Sequence, residues 1–452
     1  MVAIRTIKMI AIKHLLICGG IMFCLQNAAA GIPIQRWILP SGAQVNLVES
    51  PAIPMVDIQI DFDAGGRRDP SHQAGLASVT AGMAGKGLTG QKGLAPMDEN
   101  ELGEAWADLG ASFGASAGSD RMSFALRSLT EPDLLAKALA LAGRQMAEPA
   151  FAPAIWARER QRLIASLAEA ARRPGTLAGK EFGRAVYGPH PYGMEMTEAS
   201  LSAISVADMQ NLYRLHILPC RAKISVVGNL NRAQTQAAVQ ALLAGLPSAA
   251  GQCAALPLVS EVTALTQSRE INLPFESAQA HVLIGQPGFK RDDPDFFLLT
   301  VGNYILGGGG FVSRLTSEVR EKRGLSYSVY SYFSPGLHAG AFTVGLQTRP
   351  DQAQQAVHVA KQVVADFVSN GPTPDELQAA KDNLIGGFAL LIDSNRKLLG
   401  NVANIAWNGL PLDYLDTWTA QVDRVTVHEI KAAFARKLQP DSMVTVIVGG
   451  KP

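Results

Sequence analysis

Residues 205–229, SVADMQNLYRLHILPCRAKISVVGN, have a counterpart near the end of the chain in residues 426–450, TVHEIKAAFARKLQPDSMVTVIVGG. The two segments align without a gap at an offset of 426 − 205 = 221 residues. Each begins with a Ser/Thr-x-x-Asp/Glu capping box, continues as an amphipathic helix, breaks at a proline and ends in a β-branched strand before glycine. The aligned pairs are Ser205 with Thr426, Asp208 with Glu429, Tyr213 with Phe434, Pro219 with Pro440, and Gly228 with Gly449. A match of cap, breaker and strand indicates an internal duplication.

The duplication divides a chain that is long enough for two hydrophobic cores. At 452 residues the chain exceeds the length that one core usually supports. We place the two halves at about 31–245 and 271–452, joined at 246–270 by a linker rich in small residues. Alternating segments such as VDIQIDFDAG and RMSFALRSL are typical of strands, and they mix with helical segments such as EPDLLAKALALAGRQM without regular βα alternation. The pattern predicts an α+β fold in which helices pack on antiparallel or mixed sheets.

Residues 1–30 form a separate segment. Basic residues at its start precede an apolar stretch over 15–25, and the small residues Ala28, Ala29 and Ala30 follow. This order is typical of a secretory signal, and it predicts cleavage after Ala30 and a secreted, periplasmic protein. A retained membrane anchor is the alternative, but the apolar stretch is shorter than the ~20 residues that a spanning helix needs.

Charge and cysteine content limit the classes of partner. The net charge is +1, from 40 basic and 39 acidic residues, so charge gives no reason to expect nucleic acid or an anionic surface as partner. Signal cleavage would leave two of the four cysteines, Cys220 and Cys253. In an oxidising compartment these two either pair or remain free thiols, and the sequence does not decide between the two states.

Spacing argues against three familiar catalytic patterns. The glycines at 307–310 match neither a dinucleotide fingerprint nor a P-loop. The segment LGASFGASAGSD holds two G-x-S-x-G matches, centred on Ser112 and Ser116. The nucleophile elbow of a serine hydrolase needs a strand before it and a helix after it, and here the predicted order is reversed.

No two of the eight histidines lie four residues apart, so no helical turn presents a histidine pair to zinc. The residues alone therefore predict no metal site in this chain and disfavour a serine hydrolase.

Several longer segments occur in an order that is familiar from one protein family. They are FDAGGRRDPSHQAGLASVTAGMAGKG, LGASFGASAGSD, RERQRLIASL, YGPHPYG, ILGGGGFVSRLTSEVREKRGLSYSVYS and TPDELQAAKDNLIGG. With these landmarks, residues 31–452 resemble the pitrilysin and mitochondrial processing peptidase family of insulinase-like zinc metallopeptidases. The resemblance implies two tandem α+β halves that together form half of a clamshell chamber.

The chain departs from that family at the catalytic site. Active members carry H-x-x-E-H, in which the two histidines bind zinc and the glutamate activates water. In alignment with this motif, the chain has Ser78 and Gly82 at the histidine positions and Ala81 at the position of the base. The distal glutamate ligand aligns with Ser166, although the companion Glu159 is present. The resemblance therefore implies a degenerate site, with no metal ligand and no catalytic residue in this chain.

A second family signature is complete. In the family an Arg and a Tyr, seven positions apart, project from the C-terminal half and bind the substrate backbone, and Arg320 and Tyr327 match them. From the residues, SRLTSEVREKR is a helix with Arg320 in its last turn, Gly324 caps it, and LSYSVYS continues as a strand. The alternative is structural: Arg320 favours the helix dipole and Tyr327 is an ordinary strand residue. The preceding glycines are interpreted as a close-packed turn beside this element.

The resemblance implies a function for the whole chain. It would be the non-catalytic, substrate-binding subunit of a heteromeric periplasmic zinc metallopeptidase, inactive alone. Its partner would be a homologous subunit that carries H-x-x-E-H and the zinc, and Arg320 and Tyr327 would position the peptide substrate. The alternative is a structural or peptide-holding protein of the same fold without a peptidase role, as some members of the superfamily are scaffold subunits of respiratory complexes.

Overall fold

A computed structural model describes residues 31–90, 93–247 and 253–450. The predicted signal segment, residues 1–30, and residues 248–252 of the predicted linker lie outside the described residues. Over the three described ranges, no helix has both the length and the apolar character that crossing a bilayer requires.

Two mixed β-sheets form the framework. The first has the strand order β1-β2-β6-β3-β5-β4 and the second the order β7-β11-β8-β10-β9, and in each sheet one pair is parallel and the others are antiparallel. The parallel pairs, β2 with β6 and β7 with β11, occupy equivalent places. The strands are β1 Gln35–Ile38, β2 Gln44–Glu49, β3 Met55–Phe62, β4 Ser112–Ala117, β5 Met122–Leu129, β6 Lys223–Gly228, β7 Arg269–Leu273, β8 Ala280–Pro287, β9 Ser328–Phe333, β10 Ala341–Thr348 and β11 Val444–Val448.

Helices cover both sheets, which confirms the predicted α+β class. They are α1 Leu76–Met83, α2 Glu99–Asp108, α3 Pro132–Ala147, α4 Pro153–Ala170, α5 Pro174–Tyr187, α6 Glu198–Ala203, α7 Val206–His216, α8 Arg232–Leu243, α9 Phe296–Asn303, α10 Ala353–Asn370, α11 Pro374–Gly387, α12 Asn395–Asn408, α13 Tyr414–Arg424 and α14 Val427–Lys437. Two π-helical segments, Tyr304–Gly308 and Thr316–Glu321, follow α9.

The structure confirms the duplication and extends it beyond the segment that revealed it. The predicted capping boxes form at Ser205 with Asp208 and at Thr426 with Glu429. The first residues of α10, α11, α12, α14 and β11 follow those of α3, α4, α5, α7 and β6 at one offset, since 353 − 132, 374 − 153, 395 − 174, 427 − 206 and 444 − 223 all equal 221. The repeat therefore runs without a gap from α3 to β6.

Both copies of the repeat end on a glycine in the same unusual conformation. Gly228 has φ +151° and Gly449 has φ +150°. A Cβ atom at Gly228 would lie 2.4 Å from the Met55 carbonyl oxygen, and one at Gly449 would lie 2.5 Å from the Ala280 Cα. Both glycines thus allow the end of one central strand to approach the start of its antiparallel neighbour, β3 or β8.

We predict that Gly228→Ala and Gly449→Ala each lower the free energy of unfolding by about 1–3 kcal/mol, because backbone must move and the new residue must adopt a positive φ. Urea denaturation followed by circular dichroism measures this. Gly386→Ala in α11 is the control, since a Cβ there would meet no atom within 4 Å, and we expect it to be neutral or stabilising by up to about 1 kcal/mol. Equal stability of all three variants would contradict the close-approach argument.

The halves exchange one helix each. Helix α12 packs on β6 and β3 of the first sheet, whereas α5 packs on β8 and β11 of the second. One mixed apolar cluster joins Val48 and Val227 to Leu398, Val402 and Ile405 of α12. The equivalent cluster lies around α5 and contains Ala178, Phe182, Val186, Ala341, Val444, Val446 and Val448. Each sheet is therefore completed by the other half, and the described residues from Ile32 onward form one compact unit.

A disulfide attaches the linker to the first copy of the repeat. Cys220, in the turn before β6, is bonded to Cys253, and their Cα atoms are 5.8 Å apart. From 253 to 268 the linker contains neither helix nor strand. The structure thus pairs the two cysteines whose state the sequence left open.

Candidate functional site

The helix that aligns with the zinc motif is intact but carries no ligands. Ser78 and Gly82 lie on the exposed side of α1, and Ala81 is buried. A Cβ at Gly82 would meet no atom within 4 Å, and Ser166 is exposed on α4. In the described ranges no group of three His, Cys, Asp or Glu side chains is arranged to hold a metal ion. A serine hydroxyl, a glycine and an alanine do not provide the N, S or carboxylate ligands that zinc prefers, so this site does not fit catalytic zinc.

A buried carboxylate holds the start of α1. Asp69 is 7% exposed and accepts hydrogen bonds from the backbone N–H groups of Gly75 and Ala77, at 2.9 and 3.0 Å. Gly75, with φ +101°, is the N-cap residue of α1 and has no side chain to cap the helix, so Asp69 supplies the capping oxygens instead. Burial raises the pKa of Asp69 to about 6, because desolvation outweighs the stabilisation that the backbone hydrogen bonds give to the charged form.

This pKa predicts a pH-dependent contribution to stability. The pKa of Asp69 is about 6 in the folded protein, above the ordinary value of 3.8 for an aspartate in the unfolded chain. Between these values the folded protein binds the proton more tightly than the unfolded chain, so the contribution increases as pH falls from about 6 to about 4, by up to ~3 kcal/mol. We expect the free energy of unfolding of the wild type, relative to that of Asp69→Asn, to rise as the pH falls from about 6 to about 4. Urea denaturation at pH 4.5 and pH 7 measures it, and a difference that does not vary with pH would contradict the prediction.

The companion glutamate of the family motif, Glu159, is held in a network of ion pairs. Glu159 is buried on α4 and accepts hydrogen bonds from Arg158 and Arg162, at 2.9 and 2.8 Å. Lys86, just beyond α1, lies 3.8 Å from it. Burial opposes the charged form, but these cations outweigh it and hold the pKa of Glu159 below its usual range. Glu159 therefore links α4 to the end of α1 through ion pairs.

The serine elbow, which the sequence disfavours, does not form. Ser112 and Ser116 lie within β4, an edge strand that is preceded by α2 and followed by β5. A nucleophile elbow needs the sharp turn from a strand into a helix, so this geometry excludes it.

The glycines before Arg320 form the predicted close-packed turn. A Cβ at Gly307 would lie 2.4 Å from the Ser331 Oγ of β9, and one at Gly308 would lie 2.8 Å from the Asn303 side chain. The π-helical segment Tyr304–Gly308 contains both glycines and packs against β9. π-helical turns are rare and often occur at functional sites.

The helix that carries Arg320 ends as predicted, but the strand after it begins later. Gly324, with φ +60°, donates its N–H to the Arg320 carbonyl at 2.8 Å, which is the bond of an αL cap, and Leu325 donates to the Val319 carbonyl at 2.9 Å. The prediction that LSYSVYS is a strand from its first residue was wrong, because β9 starts at Ser328. The Ser326 hydroxyl lies within hydrogen-bond distance of the Ser328 and Gln347 carbonyls. At the start of the pairing between β9 and β10, a side chain therefore replaces the backbone as hydrogen-bond donor. Tyr327 consequently lies just before the strand.

Arg320 and Tyr327 come together with a third residue that sequence reasoning missed. The Arg320 Cζ lies 5.0 Å from the centroid of the Tyr327 ring and 4.8 Å from that of the Phe311 ring. Both rings are largely exposed, Tyr327 at 79% and Phe311 at 69%. We call these three residues the Arg320 stack. Phe311 has no periodic signature, and its only sequence signal is a large aromatic directly after a glycine run.

The guanidinium of Arg320 differs from the other cations of its segment. Arg314 pairs with Glu376 at 2.6 Å, and Lys322 and Arg323 both pair with Glu318 at 2.6 Å. No hydrogen bond or ion pair joins the Arg320 side chain to any residue in the described part of the chain. Its planar donors, on a half-buried side chain beside two exposed aromatic rings, suit carbonyl or carboxylate oxygens from another molecule.

Fold and site together define a relative of the zinc metallopeptidases that lacks the metal ligands. The family model described as "Peptidase M16 inactive domain" matches residues 203–384. A crystal structure of a peptidase M16 inactive domain from Pseudomonas fluorescens is 33% identical, with a TM-score of 0.86, and the match covers 93% of this chain and 98% of that one. The chain therefore belongs to the peptidase M16 family.

Two further proteins show the range of that likeness. A non-peptidase homolog, YmxG, from Helicobacter pylori is 26% identical over 89% of this chain and 91% of its own length. The periplasmic protease PqqL from Escherichia coli has the same fold, with a TM-score of 0.77 at 17% identity. The match with PqqL covers 93% of this chain but only 46% of that protein, so the chain spans less than half of its length.

Proposed function

We propose that this chain is the non-catalytic, substrate-binding subunit of a heteromeric zinc metallopeptidase. The observation that carries the proposal is the Arg320 stack, in which a guanidinium without an ion-pair or hydrogen-bond partner among the described residues contacts two exposed rings. The four positions that would supply zinc ligands and base are Ser78, Ala81, Gly82 and Ser166. A chain that lacks the metal chemistry but presents free donors is suited to binding rather than cleaving a peptide.

The partner would be a homologous subunit that carries H-x-x-E-H and binds the zinc. The comparison with PqqL supports two units in one enzyme, because the present fold accounts for 46% of that protease. In the proposed complex, two such units enclose the substrate as the halves of a clamshell, and one composite site combines the partner's zinc with Arg320 and Tyr327. Contacts that orient a substrate away from the metal can lower a barrier by several kcal/mol, so a subunit without zinc can still be required for cleavage.

The Arg–Tyr pair provides the test of the proposal. We predict that Arg320→Ala and Tyr327→Phe leave folding and association with the partner intact but lower kcat/KM of the assembled pair. Hydrogen bonds from a guanidinium or a phenol to a peptide are worth roughly 1–3 kcal/mol each, which corresponds to a fall of about fivefold to over a hundredfold. Steady-state cleavage by the reconstituted complex measures the effect, and gel filtration checks assembly.

Arg323→Ala is the matched control. Arg323 lies three residues from Arg320 on the same segment and is the more exposed cation, and it is already paired with Glu318. We expect this variant to cleave at nearly the wild-type rate. If Arg320→Ala and Tyr327→Phe also assemble normally and cleave at that rate, the stack does not bind substrate, and a structural or peptide-holding protein of the same fold becomes the better explanation.

We further propose that the protein acts in the periplasm. The signal-like order of residues 1–30 supports export. The Cys220–Cys253 disulfide is compatible with an oxidising compartment, where such bonds persist.

Export predicts a defined mature N-terminus. We expect the protein from a periplasmic extract to begin at Gly31, because the small residues 28–30 form the cleavage site. N-terminal sequencing of the extracted protein measures this. Recovery of a chain that still begins with Met1, or recovery only in the membrane fraction, would contradict export by signal cleavage.

A further inference from the structure

Phe311 is an exposed aromatic side chain on a fixed piece of backbone. It lies in the short helical turn Gly310–Val312, which starts at Gly310 with φ +61°. Ser313 is fully buried, and its hydroxyl donates to the Gly310 carbonyl at 2.8 Å. The Ser313 N–H bonds the same carbonyl at 3.1 Å, so two hydrogen bonds close the turn around Phe311.

The same serine also begins the helix that carries Arg320. The Ser313 carbonyl accepts from the Ser317 N–H at 3.0 Å, and the Ser313 hydroxyl lies 3.1 Å from that of Thr316. Phe311 and Arg320 are therefore connected through one buried residue, and their relative position is set by hydrogen-bonded backbone. An Arg side chain without such support would sample many rotamers, which binding would have to restrict.

We propose that Phe311 is a positioning residue that orders the Arg320 guanidinium for the peptide binding assigned above, and the inference rests on that proposed function. The Arg320 Cζ lies over the Phe311 ring at 4.8 Å and over the Tyr327 ring at 5.0 Å, and no group among the described residues accepts a hydrogen bond from its N–H donors. Stacking on an aromatic face is a favourable arrangement for a guanidinium and leaves its hydrogen-bonding capacity free.

The position of Arg320 can be measured without a partner or a substrate. Protons held over an aromatic face resonate upfield, so the Nε–H signal of Arg320 in the ¹⁵N-arginine-labelled chain should be shifted upfield, and Arg320→Lys identifies it by loss of the peak. We expect Phe311→Leu to move this signal toward the position of exposed arginines, and Phe311→Tyr, which keeps the ring, to restore it. Circular dichroism verifies that both variants are folded.

Val312→Ala is the matched control, since Val312 is the next residue and is 74% exposed. It should leave the Arg320 signal unchanged. An Arg320 signal that does not move in Phe311→Leu, or that moves equally in Val312→Ala, would overturn the proposal.

Cleavage by the reconstituted pair provides the functional readout. A stacking contact at an exposed site predicts a fall in kcat/KM of about two- to fivefold for Phe311→Leu, with recovery in Phe311→Tyr. The positioning role would be overturned if Phe311→Leu abolished the upfield shift of Arg320 but left cleavage unchanged, in a complex whose cleavage does depend on Arg320. If Arg320→Ala itself has no effect on cleavage, the proposed function fails instead, and the resonance shift still decides whether Phe311 orders the guanidinium.

Discussion

Each sheet of this protein is completed by a helix from the opposite half, and the rest of the structure depends on that exchange. Helix α5 covers β8 and β11, and α12 covers β3 and β6. Phe182 of α5 fits where Gly285 lacks a side chain, since a Cβ there would lie 2.8 Å from the Phe182 ring. Burying one such ring is worth about 2–3 kcal/mol. Separation of the halves would expose both apolar clusters at once.

The exchange also contains a polar anchor. Lys223 at the start of β6 donates to the carbonyls of Ala406 and Trp407, at 3.2 and 2.9 Å, in the last turn of α12. A cation at this end satisfies carbonyls that lack helical partners and interacts favourably with the helix dipole. Because the two sheets are connected in this way, the element that carries Arg320 is held on one framework with the first half of the chain.

The duplication was predictable because its signals are local. A capping box, a proline breaker and a terminal glycine each act over a few residues, and the predicted boxes at Ser205 and Thr426 form. The exchange was not predictable, because the amphipathic pattern of α5 and α12 shows that one face is buried but not which sheet covers it. The start of β9 was missed because a side chain, Ser326, replaces backbone in the ladder. Phe311 was missed because an exposed aromatic leaves no periodic pattern.

The two family landmarks that the chain retains have different physical explanations, and the difference favours a binding function. Glu159 is buried among Lys86, Arg158 and Arg162, so folding alone accounts for its presence. Arg320 and Tyr327 have no comparable role in the described fold: Arg320 is half-buried but makes no ion pair there, Tyr327 is 79% exposed, and a stacking contact at the surface is worth only ~0.5–1 kcal/mol. Two exposed aromatic rings beside a charged group add apolar surface, and polar residues at these two positions would make the protein more soluble. Stability therefore does not account for the Arg320 stack, whereas an oxygen-rich ligand such as a peptide backbone would use both its donors and its rings.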